Sequence, residues 1–386
     1  MITYRILVTG GGSSGHINPA LAIIQAIKEI AERPEADALP IFLYMGGKSG
    51  LEQKLVEAAG IDFIGVETGK LRRYFSFQNF TDMVRLPFGI AHAMEEVAKF
   101  RPDVVLATGG YVAVPPVLGA RMLGVPIIIH EQTVQIGLAN RIAARCATRI
   151  ALSFESALEE LPKSLRRKAF VAGNPVRPAI FGGDKNAAIQ FANFAPEDNN
   201  LPTVYVTGGS QGARIINRAV EARLPHLLQF CRIIHQCGQQ PAGDEQDYDR
   251  LQNAAAELLP ESRRRYFVTP FIAQEINHVY ALADLVVGRA GAGTVTEVCT
   301  LGKPAVYIPL VPTGGDEQTR NAQMCERIGA AIIIPQSELD GPRLLAELEY
   351  LLADSNRLQE MGWAAFTLSK PDAAQVMAEA VLELAK

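Results

Sequence analysis

The stretch Ile6–Leu21, ILVTGGGSSGHINPAL, decides the fold. An apolar, β-branched run stops at three glycines, and a helical pattern starts within a few residues. A related stretch, VYVTGGSQGARIINRAV at Val204–Val220, returns in the second half of the chain. A strand that ends in glycines and turns into a helix leaves bare backbone N–H groups at a helix N-terminus. Such a point attracts anions, because unpaired donors and the helix dipole both favour negative charge.

Outward from these two stretches, short apolar runs alternate with helical patterns. They are Tyr4–Thr9, Ile41–Met45, Val104–Ala107, Ile127–His130 and Ile150–Ser153, then Thr203–Thr207, Arg232–Gln236, Tyr266–Pro270, Leu285–Val287, Ala305–Pro309 and Ala331–Ile334. Apolar runs of this length, separated by helices, predict strands buried on both faces of parallel sheets. The polar stretch Phe181–Pro202 divides them into two sets. A chain of 386 residues also exceeds one ordinary core. The expected fold class is α/β, with two doubly wound, Rossmann-like domains facing a cleft, and Pro371–Lys386 reads as an amphipathic helix.

Composition narrows the function. Hydrophobic residues make up 48% and charged residues 20%, with a net charge of −4. That is a globular balance with no overall pull toward nucleic acid, so no nucleic-acid partner is expected. The five cysteines (Cys146, Cys231, Cys237, Cys299, Cys325) form no CxxC pair and read as buried free thiols of a reducing compartment. Neither a signal peptide nor an apolar run of the ~18 residues a membrane span needs is apparent. The expected location is cytoplasmic, touching a membrane at most.

Four glycine turns follow strands: Gly10–His16 (GGGSSGH), Thr108–Tyr111 (TGGY), Gly208–Gly212 (GGSQG) and Gly288–Thr294 (GRAGAGT). One alone would be a steric convenience; four at strand C-termini point to a ligand with phosphates. Gly10, Gly12 and Gly15 match a dinucleotide fingerprint, but Gly46 and Gly47 stand where its ribose-binding acid should follow the second strand. GGKSG at Gly46–Gly50 lacks the upstream glycine of a phosphate-binding P-loop. Glu297 lies one helical turn beyond the last glycine turn, where a carboxylate can accept from a ribose diol or simply cap its helix. Asp247-Tyr248-Asp249 has the form of a metal-binding acidic pair, yet its context reads as a solvated helix start. No metal and no cofactor is expected.

The ordered set GGGSSGHINPALA (Gly10–Ala22), PDVVLATGGYVAVP (Pro102–Pro115), IIIHEQ (Ile127–Gln132), GNPVR (Gly173–Arg177), GGSQGARIIN (Gly208–Asn217), RAGAGTVTE (Arg289–Glu297) and DEQTRNA (Asp316–Ala322) resembles the MurG family of peptidoglycan glycosyltransferases. The resemblance covers essentially the whole chain. It implies a GT-B architecture, with an acceptor- and membrane-side domain over 1–171, a donor domain over 172–364, and a closing helix within 365–386 that returns to the first domain. It implies inverting transfer of N-acetylglucosamine from UDP-N-acetylglucosamine to undecaprenyl-diphosphate-linked N-acetylmuramyl-pentapeptide. On the donor side, Ile272 would meet the uracil through its backbone and Glu297 the ribose. Arg177, Ser210 and the turn Ala292, Gly293, Thr294, Val295 and Thr296 would surround the diphosphate, and Gln318 would bond the sugar. Ser13, Ser14, Gly15 and Thr133 of the first domain would close over the donor.

The chain departs from the family pattern at Ser13 and Ser14, where threonine and glycine are usual, and at Thr133, where asparagine is usual. A serine at position 14 requires a backbone that does not need positive φ. For the base that takes the acceptor proton, His16 fits, at a helix N-terminus beside an anion turn. Glu131 is the second candidate, Tyr111 is placed to orient the acceptor, and His130 reads as a bonded neighbour of Glu131. Between residues 69 and 94, Tyr74, Phe75, Phe77, Phe80 and Phe88 crowd beside Lys70, Arg72, Arg73 and Arg85, a composition suited to peripheral docking on the cytoplasmic face of an anionic membrane. Two other readings stay open: a UDP-N-acetylglucosamine 2-epimerase and a non-catalytic UDP-sugar-binding regulator.

Overall fold

The computed structural model describes residues 2–34, 36, 38–48, 51–67, 77–240, 246–311 and 316–386, the side chains of Ser14, Leu51 and 77–86 excepted. The chain divides into two compact units, Met1–Arg177 with Lys370–Lys386, and Pro178–Ser369.

The first unit is built on seven parallel strands: β1 (Ile2–Thr9), β2 (Ala38–Gly47), β3 (Asp62–Val66), β4 (Val104–Ala107), β5 (Ile127–Glu131), β6 (Arg149–Leu152) and β7 (Ala169–Val171), in the order β3-β2-β1-β4-β5-β6-β7. Its central strands are mostly apolar because successive side chains enter opposite layers, both of them buried. Ile6, Val8, Val104 and Leu106 join one core, while Leu7, Val105 and Ala107 join the other. Helix α1 (Ser14–Ala31) covers the first layer together with the last helix, Ala373–Leu384, whose Met377 and Val381 are fully buried there. An ion pair from Arg149 to Glu383 ties that last helix to the start of β6.

The second unit repeats the plan with six parallel strands: β8 (Thr203–Thr207), β9 (Arg232–Gln236), β10 (Tyr266–Thr269), β11 (Leu285–Gly288), β12 (Ala305–Tyr307) and β13 (Ala331–Ile333), ordered β10-β9-β8-β11-β12-β13. Val204 and Val206 enter one layer and Tyr205 the other. All five cysteines are free, and four are buried.

Two strands escaped the sequence reading. β3, DFIGV, lies at a sheet edge with only Val66 buried, and β7 is a three-residue edge strand with no buried residue. An edge strand packs against one neighbour only, so its sequence need not be continuously apolar.

Each sheet has one position where strand order reverses, between β1 and β4 and between β8 and β11. Connections leave such a point in opposite directions and open a crevice beyond the strand C-termini. Thr9 is in register with Ala107, and Thr207 with Gly288. The four glycine turns therefore fall in pairs, two at each reversal. Of the membrane-facing segment predicted at 69–94, residues 69–76 lie outside the described residues. Helix α2 (Leu51–Ala58) precedes that segment, and helix α3 (Phe77–Phe100) starts inside it, with Phe88 69% exposed. Among the described residues, no helix is long and apolar enough to cross a membrane.

Candidate active site

At the β1/β4 reversal, the two glycine turns are laced together. Gly11 N–H donates to the Gly109 carbonyl (3.2 Å), and Thr108 Oγ1 donates to the His16 carbonyl (2.7 Å). Gly110 sits at φ 81°, and a Cβ there would lie 2.0 Å from the Gly11 carbonyl oxygen. Only glycine meets both conditions. The Tyr111 ring packs against Gly12, itself at φ 84°. Ser13 is extended (φ −160°) and Ser14 is the first residue of α1, so the serine replacing glycine there falls on helical backbone. Gly15 follows in the same first turn.

One donor of this turn is already occupied. Gly12 N–H donates to Glu52 Oε1 (2.6 Å), and Glu52, on α2, is 2% exposed. The turn is thus tied to a carboxylate of its own chain, which tempers its reading as an open anion site.

His16 lies half-buried where the turns meet. Its Nδ1 is 3.0 Å from the Thr108 carbonyl and 3.0 Å from Gln132 Oε1. Both partners are acceptors, so Nδ1 carries the proton and Nε2 carries the lone pair.

Glu131, at the end of β5, is differently engaged. Its carboxylate accepts from Thr133 N (3.1 Å), Thr133 Oγ1 (2.9 Å), Gly137 N (3.0 Å) and Asn140 Nδ2 (3.0 Å). It pins the turn 131–137 to the start of helix α5 (Leu138–Cys146), where α4 denotes Val114–Met122. Thr133 turns its hydroxyl inward, to Glu131 and to the Gln135 carbonyl (2.5 Å). His130 is not bonded to the Glu131 carboxylate, contrary to expectation. Its Nε2 donates to the Gly173 carbonyl (2.9 Å), and its Nδ1 faces Gln132 Nε2 (3.2 Å). Burial pushes His130 down to about 4.

At the β8/β11 reversal, Glu297 lies on the helix Ala292–Thr300, which begins straight after the glycine turn. Its Oε2 accepts from the Tyr280 hydroxyl (2.9 Å). Burial first, then the Glu297 charge, raises the Tyr280 hydroxyl well above its ordinary value, so it stays a neutral donor. Thr296 Oγ1 donates to the Ala292 carbonyl (2.8 Å), within the same turn as Gly293, Thr294 and Val295. Ser210, in the other turn of this pair, accepts from Gln239 N through its carbonyl (3.0 Å). Ile272 N–H donates to Gln236 Oε1 (3.0 Å), and Gln318 Oε1 accepts from Leu310 N (3.0 Å). Arg177 ends the first stretch of the first unit, half-buried beside the GNP turn.

The acidic pair Asp247/Asp249 is not a solvated helix start as expected. Asp247 is fully buried, accepting from Asn217 Nδ2 (2.7 Å) and paired with Arg250 (2.7 Å), while Asp249 points to solvent. Among the described residues, no cluster of three or more His, Cys, Asp or Glu is placed to hold a metal.

Sequence reasoning missed Thr108, Gln132, Glu52 and Tyr280 as site residues. Gln132 had a visible signal, being adjacent to Glu131 in HEQ. Glu52 and Tyr280 had none, because they come from helices remote in sequence.

Two family models match the chain: the glycosyltransferase family 28 N-terminal domain over residues 6–152 and the family 28 C-terminal domain over residues 203–377. The UDP-N-acetylglucosamine–N-acetylmuramyl-(pentapeptide) pyrophosphoryl-undecaprenol N-acetylglucosamine transferase of Treponema denticola is 34% identical, covering 97% of this chain and 96% of its own. The chain belongs to the MurG family. A second MurG-family relative, from Bacillus licheniformis and bearing the same name, is 36% identical over 98% of both chains. The crystal structure of Acinetobacter baumannii MurG is 28% identical with a TM-score of 0.72, covering 98% of this chain and 99% of its own. MurG-family membership over nearly the full length supports the transferase reading over the epimerase and regulator readings.

Proposed function

We propose that His16 is the general base and the second unit the donor site of a reaction that transfers N-acetylglucosamine from UDP-N-acetylglucosamine to undecaprenyl-diphosphate-linked N-acetylmuramyl-pentapeptide. The observation that carries the base assignment is the pair of acceptors on His16 Nδ1, which leaves Nε2 as the basic edge. In this reading the acceptor hydroxyl oxygen attacks the anomeric carbon and its proton passes to His16 Nε2. The bond from that carbon to UDP breaks on the opposite face, with inversion, and UDP leaves. Tyr111, packed on Gly12, lines the acceptor side. Glu131 is a strut for the turn 131–137, since four donors already face its carboxylate.

On the donor side, Glu297, held by Tyr280, accepts from the ribose hydroxyls. The Ile272 backbone reads the uracil through its carbonyl, its N–H being engaged by Gln236. Ser210, Arg177 and the turn Ala292–Thr296 neutralise the diphosphate through N–H donors and positive charge. Gln318, whose oxygen is held by Leu310, offers its NH₂ to the sugar hydroxyls. Ser13, Ser14, Gly15 and Thr133 contribute from the first unit, and the segment 69–94 docks peripherally on an anionic membrane surface on its cytoplasmic face.

The test is incubation of the protein with radiolabelled UDP-N-acetylglucosamine and the lipid-linked muramyl-pentapeptide. The reading expects a lipid-linked disaccharide, with no sugar transfer when the acceptor is omitted. Epimerised UDP-sugar without acceptor, or intact UDP-sugar with it, would overturn the reading.

A further inference from the structure

Beneath His16 runs a chain of hydrogen bonds whose direction is fixed from one end to the other. It starts at the Gly173 carbonyl, which can only accept. His130 Nε2, 2.9 Å away, therefore carries the ring proton, and His130 Nδ1 is left with a lone pair. Burial keeps this ring neutral, pushing it down to about 4. Gln132 presents an amide edge 3.2 Å from that lone pair, so the group there must be its NH₂. The same NH₂ donates to the Thr108 carbonyl (2.5 Å). The amide orientation is thus settled twice, and Gln132 Oε1 is turned to His16 Nδ1 (3.0 Å).

A flipped Gln132 would bring N–H against N–H at His16 and favour the other tautomer, whose Nε2 carries a proton and cannot act as a base. His130 and Gln132 are both almost fully buried, at 0% and 1% exposure, so water does not compete for these bonds. Nor is this a carboxylate–histidine pair. The nearby carboxylate, Glu131, is committed to the turn 131–137, and only neutral oxygens face His16 Nδ1.

We propose that His130 and Gln132 are positioning residues, a directional relay from the Gly173 carbonyl that locks His16 as its Nδ1–H tautomer and so presents the Nε2 lone pair to the acceptor. This rests on the reading of His16 as base. Neither residue is required to touch substrate.

The experiment is nitrogen NMR on the full chain labelled at histidine, together with pH profiles of kcat. In the wild type, His16 should show a protonated Nδ1 and an unprotonated Nε2. His130→Phe should mix the tautomers and lower kcat by about ten- to a hundred-fold, less than the ~10⁴ lost when a triad histidine is held in the wrong tautomer, since the Thr108 carbonyl remains. KM for UDP-N-acetylglucosamine should not move. Gln132→Glu, nearly isosteric, guards against a His130 variant that fails to fold. It keeps an acceptor at Nδ1, removes the NH₂ that donates to the Thr108 carbonyl and His130, and adds a charge that favours the imidazolium, so the acid limb of its profile should move up by about one pH unit or more. An Nε2–H tautomer in the wild type would overturn the relay. So would an unmoved acid limb in Gln132→Glu while His16→Ala is inactive. Full activity of His16→Ala would instead remove the base assignment, whatever the tautomer found.

Discussion

The Tyr280 hydroxyl lies 2.9 Å from Oε2 of Glu297, joining a buried ring to the carboxylate that follows the last glycine turn. Charge-assisted bonds of this kind contribute roughly 1.5–3 kcal/mol when a carboxylate accepts them in a shielded site. Glu297→Ala should weaken UDP and UDP-N-acetylglucosamine alike by about ten- to a hundred-fold, because both carry the ribose. Tyr280→Phe, which loosens the carboxylate without removing it, should weaken both by a smaller factor. Calorimetry on the two folded variants checks this, and unchanged UDP affinity in Glu297→Ala would remove Glu297 from the site.

Gly110→Ala should destabilise the first unit. The residue needs φ 81°, and a methyl group there would overlap the Gly11 carbonyl at 2.0 Å. Backbone strain alone costs of order 1–3 kcal/mol, and the overlap adds to it. Urea unfolding should show a lowered midpoint, whereas Gly124→Ala, at φ 75° with nothing within 4 Å of its Cβ, should cost only the strain. Equal losses for the two variants would contradict the close approach of the turns.

Acid should unfold the second unit partly through His235. This ring is buried between Asn217 and Tyr266, and desolvation pushes it down to about 3. In the unfolded chain it titrates near ~6.5. The unfolded state therefore binds the extra proton as pH falls below that value, and stability present above it is lost until about pH 3. The loss approaches ~1.4 kcal/mol per pH unit within that window. A folded His235→Gln variant should show a shallower fall of the urea midpoint between those limits; an identical slope would contradict the assignment.

Much of the fold could be read before the structure, and for a physical reason. Strands buried on both faces, such as Ile6–Thr9 and Thr203–Thr207, carry no charge, are rich in β-branched residues and stand out in a line of text. The edge strands Asp62–Val66 and Ala169–Val171 pack on one neighbour and left no such signature. The same logic governs the site. His16, Glu131 and Glu297 were legible because each adjoins a glycine turn or a strand end. Tyr280, Glu52 and the bonding of His130 were not, because hydrogen-bond partners brought together across a sheet leave no spacing pattern. Asp247 misled for a related cause: its burial comes from Asn217 and Arg250, which only the folded unit places around it.

Peripheral docking through segment 69–94, as proposed, predicts a separable phenotype. Each Lys or Arg near an anionic bilayer contributes about 1 kcal/mol, and an inserted ring ~1–2 kcal/mol at partial burial. Replacing Arg72, Arg73 and Phe75 together should abolish sedimentation with cardiolipin-containing vesicles while activity on a short-chain soluble acceptor persists. Undiminished vesicle binding by that folded variant would contradict the assignment.

The central claim is that His16 Nε2 takes the acceptor proton. A positioned general base contributes typically ~10²–10⁴ in rate. The decisive measurement is single-turnover transfer by His16→Ala beside calorimetric UDP affinity of the same preparation. The account predicts a fall in turnover within that range, with UDP affinity unchanged, because in the proposed reading UDP is held by the second unit and Arg177, and His16 makes no contact with it. Turnover within about five-fold of wild type would contradict it.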